Sequence, residues 1–153
     1  MFTNFEIMTS KPKVCFFFEK KFSGLNNRTK LKTFIEYLFQ REGRTLLNIN
    51  YVFCSDKRLL EINRQYLNHD YYTDIITFDL SENESTEAEV YISIDRVKEN
   101  AHQVGASILQ ELHRVMFHGA LHLCGYSDRS MSEKSTMRAK EDKYLAKYFS
   151  GST

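Results

Sequence analysis

Short apolar runs of strand length alternate here with stretches of helical periodicity, which predicts an α/β (α+β) fold: one domain, a mixed four-stranded sheet and about five helices packed on it. Three observations carry this. Residues 28–41 place Leu31, Phe34, Ile35 and Leu38 at i, i+3, i+4 and i+7, one buried helical stripe. Residues 46–54 alternate, with Leu47, Ile49, Tyr51 and Phe53 on one face, a strand pattern. Glycines, asparagines and serines fall between the periodic segments, where turns and caps need them.

The elements follow in order. Residues 1–12 are expected to be a leader, ended by Pro12, and Val14 to Phe18 is a continuous apolar strand. Asn27 is placed to cap the first helix and Gly43 to stop it. After the second strand, Ser55 caps a helix whose first turn carries Asp56 and whose apolar positions run from Leu59 to Leu67. Asn68-His69-Asp70 is turn chemistry. Residues 75–78 form a third strand and 90–94 a fourth, with the acidic segment 81–87 as the loop between them. So short a link predicts an antiparallel pair, whereas the helix joining the first two strands predicts a parallel one. Asp95 starts a helix to about Gln103, Ser107 caps a longer one that Gly125 ends, and Ser132 begins an amphipathic helix reaching Phe149. Residues 150–153 are expected to be a tail.

Composition narrows the class. A chain of 153 residues with 42% hydrophobic and 14% aromatic residues has material for one buried core and is not that of a disordered protein. A net charge of +1 argues neither for nor against a nucleic-acid partner, because charge can be concentrated locally. Cys15, Cys54 and Cys124 fit no C-x-x-C pair, and two of them lie in apolar runs, so a reduced, intracellular chain is expected. Val14 to Phe18 is too short to span a bilayer, and no cleavage pattern of a secretory signal follows it. No membrane association is expected.

The chemistry is concentrated in residues 117–128. His118 and His122, four apart on a helix, project from one face and can reach one ion at about 2.0–2.1 Å each. Gly125 lets the chain turn back, so Asp128 can face the two imidazoles as a third ligand. Three protein ligands leave a fourth position open, the mark of a catalytic rather than structural site. Two imidazoles and a carboxylate suit zinc, and also non-haem iron. The layout is similar to the extended motif of zinc peptidases, but the position of their catalytic glutamate is Gly119 here, which argues against peptidase chemistry. Glu111 shares the helix face but lies about 10 Å along the axis from His118. His113 and Cys124 are turned away from that face.

At these residues the chain resembles the YbeY family of bacterial endoribonucleases, whose motif H-G-x-L-H-L-x-G-Y-D-H matches His118 through Tyr126, with Ser127 and Asp128 replacing the last Asp and His. Thr73-Asp74-Ile75-Ile76-Thr77-Phe78 and Ala88-Glu89-Val90-Tyr91-Ile92-Ser93 resemble two further signatures of the family. The resemblance implies a mixed sheet with helices and one Zn2+ held by His118, His122 and Asp128. It implies single-strand-specific cleavage in 16S ribosomal RNA maturation and ribosome quality control, with RNA and ribosomal components as partners, in the cytoplasm. The family usually has an arginine after a tyrosine shortly before the third strand. Aligned on Tyr66 that position is Leu67, with Arg64 or His69 as candidates to substitute. The other readings are a non-catalytic ribosome-assembly or RNA-binding factor with a structural metal, and a metallopeptidase. Asp128 could instead be a solvated turn residue, and Glu111 a solvated carboxylate. Asp74 and Thr77 either line a cleft or merely begin a strand. Tyr66, Tyr71, Tyr72 and Tyr126 either stack on bases or pack at the core and rim. Arg114, Arg129, Lys134, Arg138 and Lys140 either grip phosphates or form a solvated face.

Overall fold

The computed structural model describes residues 12–151; residues 1–11 of the expected leader and 152–153 of the expected tail lie outside them. Its elements are β1 (Val14–Phe18), α1 (Arg28–Arg41), β2 (Leu46–Cys54), α2 (Asp56–Leu67), β3 (Ile75–Asp79), β4 (Thr86–Ser93), α3 (Ile94–Val104), α4 (Ile108–Leu123) and α5 (Met131–Phe149). The sheet is mixed, in the order β1-β2-β4-β3. β1 runs parallel to β2 and β2 parallel to β4, while β3 closes the sheet as an antiparallel edge strand on β4. The four strands and five helices agree with the expected fold class.

Both faces of the sheet are covered, which explains the near-continuous apolar character of β2. Its Ile49, Tyr51 and Phe53 face the main core with α1 and α4, against Leu31, Phe34, Ile35, Leu112, Met116 and Phe117. On the opposite face Cys54 joins Leu59 and Ile62 of α2 and Ile76 of β3 in a smaller core. The α5 helix packs on α4, so α4 lies between the sheet and α5.

Four details differ from the sequence expectation, each for a physical reason. Leu47 does not share the face of Ile49: the register with β4 shifts between Leu46 and Asn48, leaving Leu47 56% exposed while Leu46 is buried. The fourth strand begins at Thr86, inside the expected loop, because Thr86, Ala88, Val90 and Ile92 alternate inward with Glu87 and Glu89 between them. It ends at Ser93, whose hydroxyl accepts from the amide of Arg96, so Ile94 opens a helix instead. The last helix is capped by Ser130 rather than Ser132: Ser130 accepts from the Glu133 amide at 3.0 Å, and Glu133 accepts from the Ser130 amide at 2.9 Å.

Candidate metal centre

Helix α4 carries His118 and His122 over the edge of the sheet. Gly119 permits this approach: a Cβ there would lie 2.9 Å from Ile75 Cδ1 and 3.3 Å from Val90 Cγ1. The residue after the first histidine therefore faces packed strands, and a glutamate at that position would point into the sheet rather than at an ion. Beyond Leu123 the chain turns at Gly125, whose φ of 102° is strained for any residue with a side chain. The turn returns Asp128 to the two imidazoles.

Three ligand atoms converge. His118 Nε2 and His122 Nε2 are 2.9 Å apart, and Asp128 Oδ2 lies 3.4 Å from the first and 3.5 Å from the second. A tetrahedral ion with bonds of about 2.0–2.1 Å requires ligand separations of about 3.3 Å, so the triangle matches one face of such a tetrahedron. The other ring nitrogens each have an acceptor. His118 Nδ1 is 2.6 Å from Glu141 Oε2, and His122 Nδ1 is 2.8 Å from the carbonyl oxygen of Tyr126. A carboxylate and a carbonyl accept, so each Nδ1 carries the proton and donates. In the neutral rings both Nε2 lone pairs then face one another, an arrangement a cation relieves. The group His118, His122 and Asp128 could hold a metal ion.

Glu141, from α5, was not anticipated. Its side chain is only 6% exposed, and besides His118 it accepts from Arg114 Nη1 at 3.0 Å. A carboxylate behind a ligating imidazole fixes its tautomer and raises its basicity. Burial alone would lower the His118 pKa; the hydrogen bond and charge of Glu141, with the charges of Asp128 and Asp74, outweigh it and raise it. A signal was present in the sequence: Glu141 sits on the buried stripe of α5 with Met137, Tyr144, Leu145 and Tyr148, a carboxylate among core positions.

Two clefts meet at this centre. The first, of about 520 Å³, runs along β3 and is lined by His69, Tyr71, Asp74, Thr77 and Asp128, among others. The second, of about 330 Å³, includes Glu111, Arg114, Lys134, Arg138 and Glu141. Asp74, His118 and Asp128 border both. Burial raises the pKa of Asp74, with His118 opposing, and burial likewise raises that of Glu111, with Arg114 opposing.

The remaining candidates separate by position. Asp74 and Thr77 line the cleft. Leu67 lines it too, at the position where the resemblance leads one to expect arginine. Arg64 pairs with Asp70 on the surface and lines neither cleft. His69 is exposed in the loop after α2 and lines the cleft, stacked against Tyr71 with ring centroids 5.1 Å apart. Tyr66, Tyr71 and Tyr72 are exposed, whereas Tyr126 donates its hydroxyl hydrogen bond to Glu42 at 2.6 Å. Lys140 bonds to Glu42 and lines neither of these two clefts, while His113 is buried on Tyr148 and Phe149. Cys124 is buried, as expected of a residue turned from the ligand face.

A mixed sheet under a helix with two i, i+4 imidazoles, a returning aspartate and an open cleft beside them defines a small protein built around one candidate metal centre. The comparisons with known proteins give the particular family. A family model described as Endoribonuclease YbeY matches residues 18–149. Similar proteins include the endoribonuclease YbeY of Cytophaga hutchinsonii, 47% identical over 138 residues, covering 89% of this chain and 96% of that one. That of Bacteroides thetaiotaomicron is 51% identical over 104 residues, covering 68% of this chain and 76% of the relative. A solution structure from Thermotoga maritima is similar with a TM-score of 0.63 at 28% identity, covering 88% of this chain and 89% of that one. The chain belongs to the endoribonuclease YbeY family.

Proposed function

We propose that the chain is a zinc-dependent, single-strand-specific endoribonuclease of 16S ribosomal RNA maturation and ribosome quality control, acting in the cytoplasm with ribosomal components as partners. Family membership supports the class of reaction and RNA as substrate. No described helix is long and apolar enough to cross a membrane. The observation that carries the metal dependence is the convergence of the two Nε2 atoms with Asp128 Oδ2.

His118, His122 and Asp128 would hold the ion. When bound, it supplies Lewis acidity toward a phosphodiester and acidifies water. The protein's own groups do the rest. Glu141 holds the His118 ring in the tautomer that presents Nε2, and the Tyr126 carbonyl does the same for His122. Arg114, Lys134 and Arg138 line the second cleft, where cationic side chains can hold a phosphate backbone. Asp74 stands where the clefts meet, positioned to accept or return a proton. Tyr71 and His69 offer rings on the first cleft wall on which an unpaired base can stack.

The test is cleavage of single-stranded and duplex RNA by the purified, zinc-loaded protein. Cleavage of the single strand that chelation stops and His118→Ala lacks supports the proposal. Intact RNA, under conditions where a control nuclease cleaves it, overturns direct catalysis. The second reading, an assembly or RNA-binding factor with a structural metal, is favoured by Leu67 on the cleft wall where an arginine is expected. In vivo rescue of a deletion strain by His118→Ala would select it.

A further inference from the structure

The metal-binding turn is gripped from a part of the chain remote in sequence. Glu42, at the C-terminal end of α1, is nearly buried, its side chain 8% exposed. It receives three donors: Tyr126 Oη at 2.6 Å, Lys140 Nζ at 3.3 Å and Tyr144 Oη. Burial alone would raise its pKa, but these hydrogen bonds and the Lys140 charge outweigh it and hold it below the usual carboxylate range. Two residues on, Arg44 Nη2 donates to the Cys124 carbonyl at 3.0 Å and lies against Gly125. The corner between α1 and β2 therefore holds the 124–126 turn at two points. The held residue, Tyr126, is the one whose carbonyl accepts the hydrogen bond from His122 Nδ1, two residues before Asp128.

We propose that Glu42 is a positioning residue for the metal centre, acting through the Tyr126 hydroxyl to fix the carbonyl that orients His122 and the turn that delivers Asp128. The two imidazoles then each answer to a buried carboxylate: His118 to Glu141 directly, His122 to Glu42 through Tyr126. This inference rests on the metal-centre reading.

The atoms involved separate this role from a merely structural one. Tyr126→Phe deletes the hydroxyl and keeps the ring and the carbonyl. Tyr144→Phe deletes a second donor to Glu42 without touching the turn. Zinc affinity, measured by competition with a chromophoric chelator, is expected to fall about 3–10-fold in Tyr126→Phe. That is less than the ~10–100-fold typical of a group bonded to a ligand itself, because Glu42 acts one bond further out. Glu42→Gln is expected to lose a similar factor, and the double variant no more than the larger single loss, because both break one path. Tyr144→Phe is expected to bind zinc within about twofold of wild type, at some cost in melting temperature. Wild-type zinc affinity in a folded Tyr126→Phe overturns the inference while leaving the metal centre intact, as does an equal loss in Tyr144→Phe. A wild-type chain that binds no zinc overturns the metal centre and this inference together.

Discussion

The two halves of α4 use histidine in opposite ways. In the first half His113, 1% exposed, sits among Phe117, Tyr148 and Phe149, its Nδ1 2.7 Å from the Leu109 carbonyl. Burial depresses its pKa, which favours the neutral ring. In the second half His118, five residues on, meets Glu141, Asp128 and His122, and its pKa is raised. Helix and residue type are shared; what differs is the facing surface, aromatic rings in one case and carboxylates in the other. What marks a candidate ligand is what its free nitrogen meets: the Nε2 atoms of His118 and His122 converge with Asp128 Oδ2, whereas the His113 ring is enclosed by aromatic side chains.

Breaking the second half should have the largest effect. Removing the ring in His118→Ala is expected to lower zinc affinity more than ~100-fold, beyond the loss from removing any supporting group. Glu141→Gln keeps the ring and removes the charge behind it. A loss of ~10–100-fold in affinity is expected by chelator competition, and an unchanged affinity would mean that the 2.6 Å contact does not tune the site. Gly119→Ala tests the seat of the helix on the sheet. The added methyl meets Ile75 at 2.9 Å, and a cost of about 1–3 kcal/mol in denaturant unfolding is expected. A neutral result would show that the strand side chain yields.

The first half should leave the metal untouched but mark stability. His113→Phe is expected to bind zinc as wild type does. The depressed His113 pKa means the unfolded chain binds more protons than the native one near and below the ordinary histidine pKa. Its presence therefore makes stability fall as pH drops through that range. In urea unfolding with chelator at pH 5 and pH 7.5, the loss toward acid should be smaller in His113→Phe than in wild type. Equal losses would show that His113 does not titrate on unfolding. The smallest effect is expected from Arg64→Ala, whose pairing with Asp70 is well exposed: stability within about 0.5 kcal/mol, by the same measurement.

The same contrast explains what could be read from the sequence. Helix α1 was legible to the residue, because its stripe and its Asn27 cap are both local. The ligand triad was legible as a candidate because helix pitch, Gly125 and Asp128 lie within eleven residues. The exclusion of His113 rested on helix geometry and agrees with its burial. The bulge at Leu46/Asn48 left no trace in the apolar alternation, since it depends on the partner strand. Ser130 and Ser132 offer similar local chemistry, and the reciprocal bond to Glu133 decides between them. Glu141 could have been noticed as a carboxylate on an apolar stripe. Glu42 could not: its position beside Gly43 reads as a solvated helix end, and its partners Tyr126, Lys140 and Tyr144 lie some eighty to a hundred residues away.

The most direct test of the metal centre is elemental mass spectrometry of the protein and of Asp128→Ala, both purified without added metal. About one zinc per wild-type chain, sharply reduced in the variant, is the result predicted for three converging ligands with one position open. A folded wild-type protein with no bound metal would contradict it.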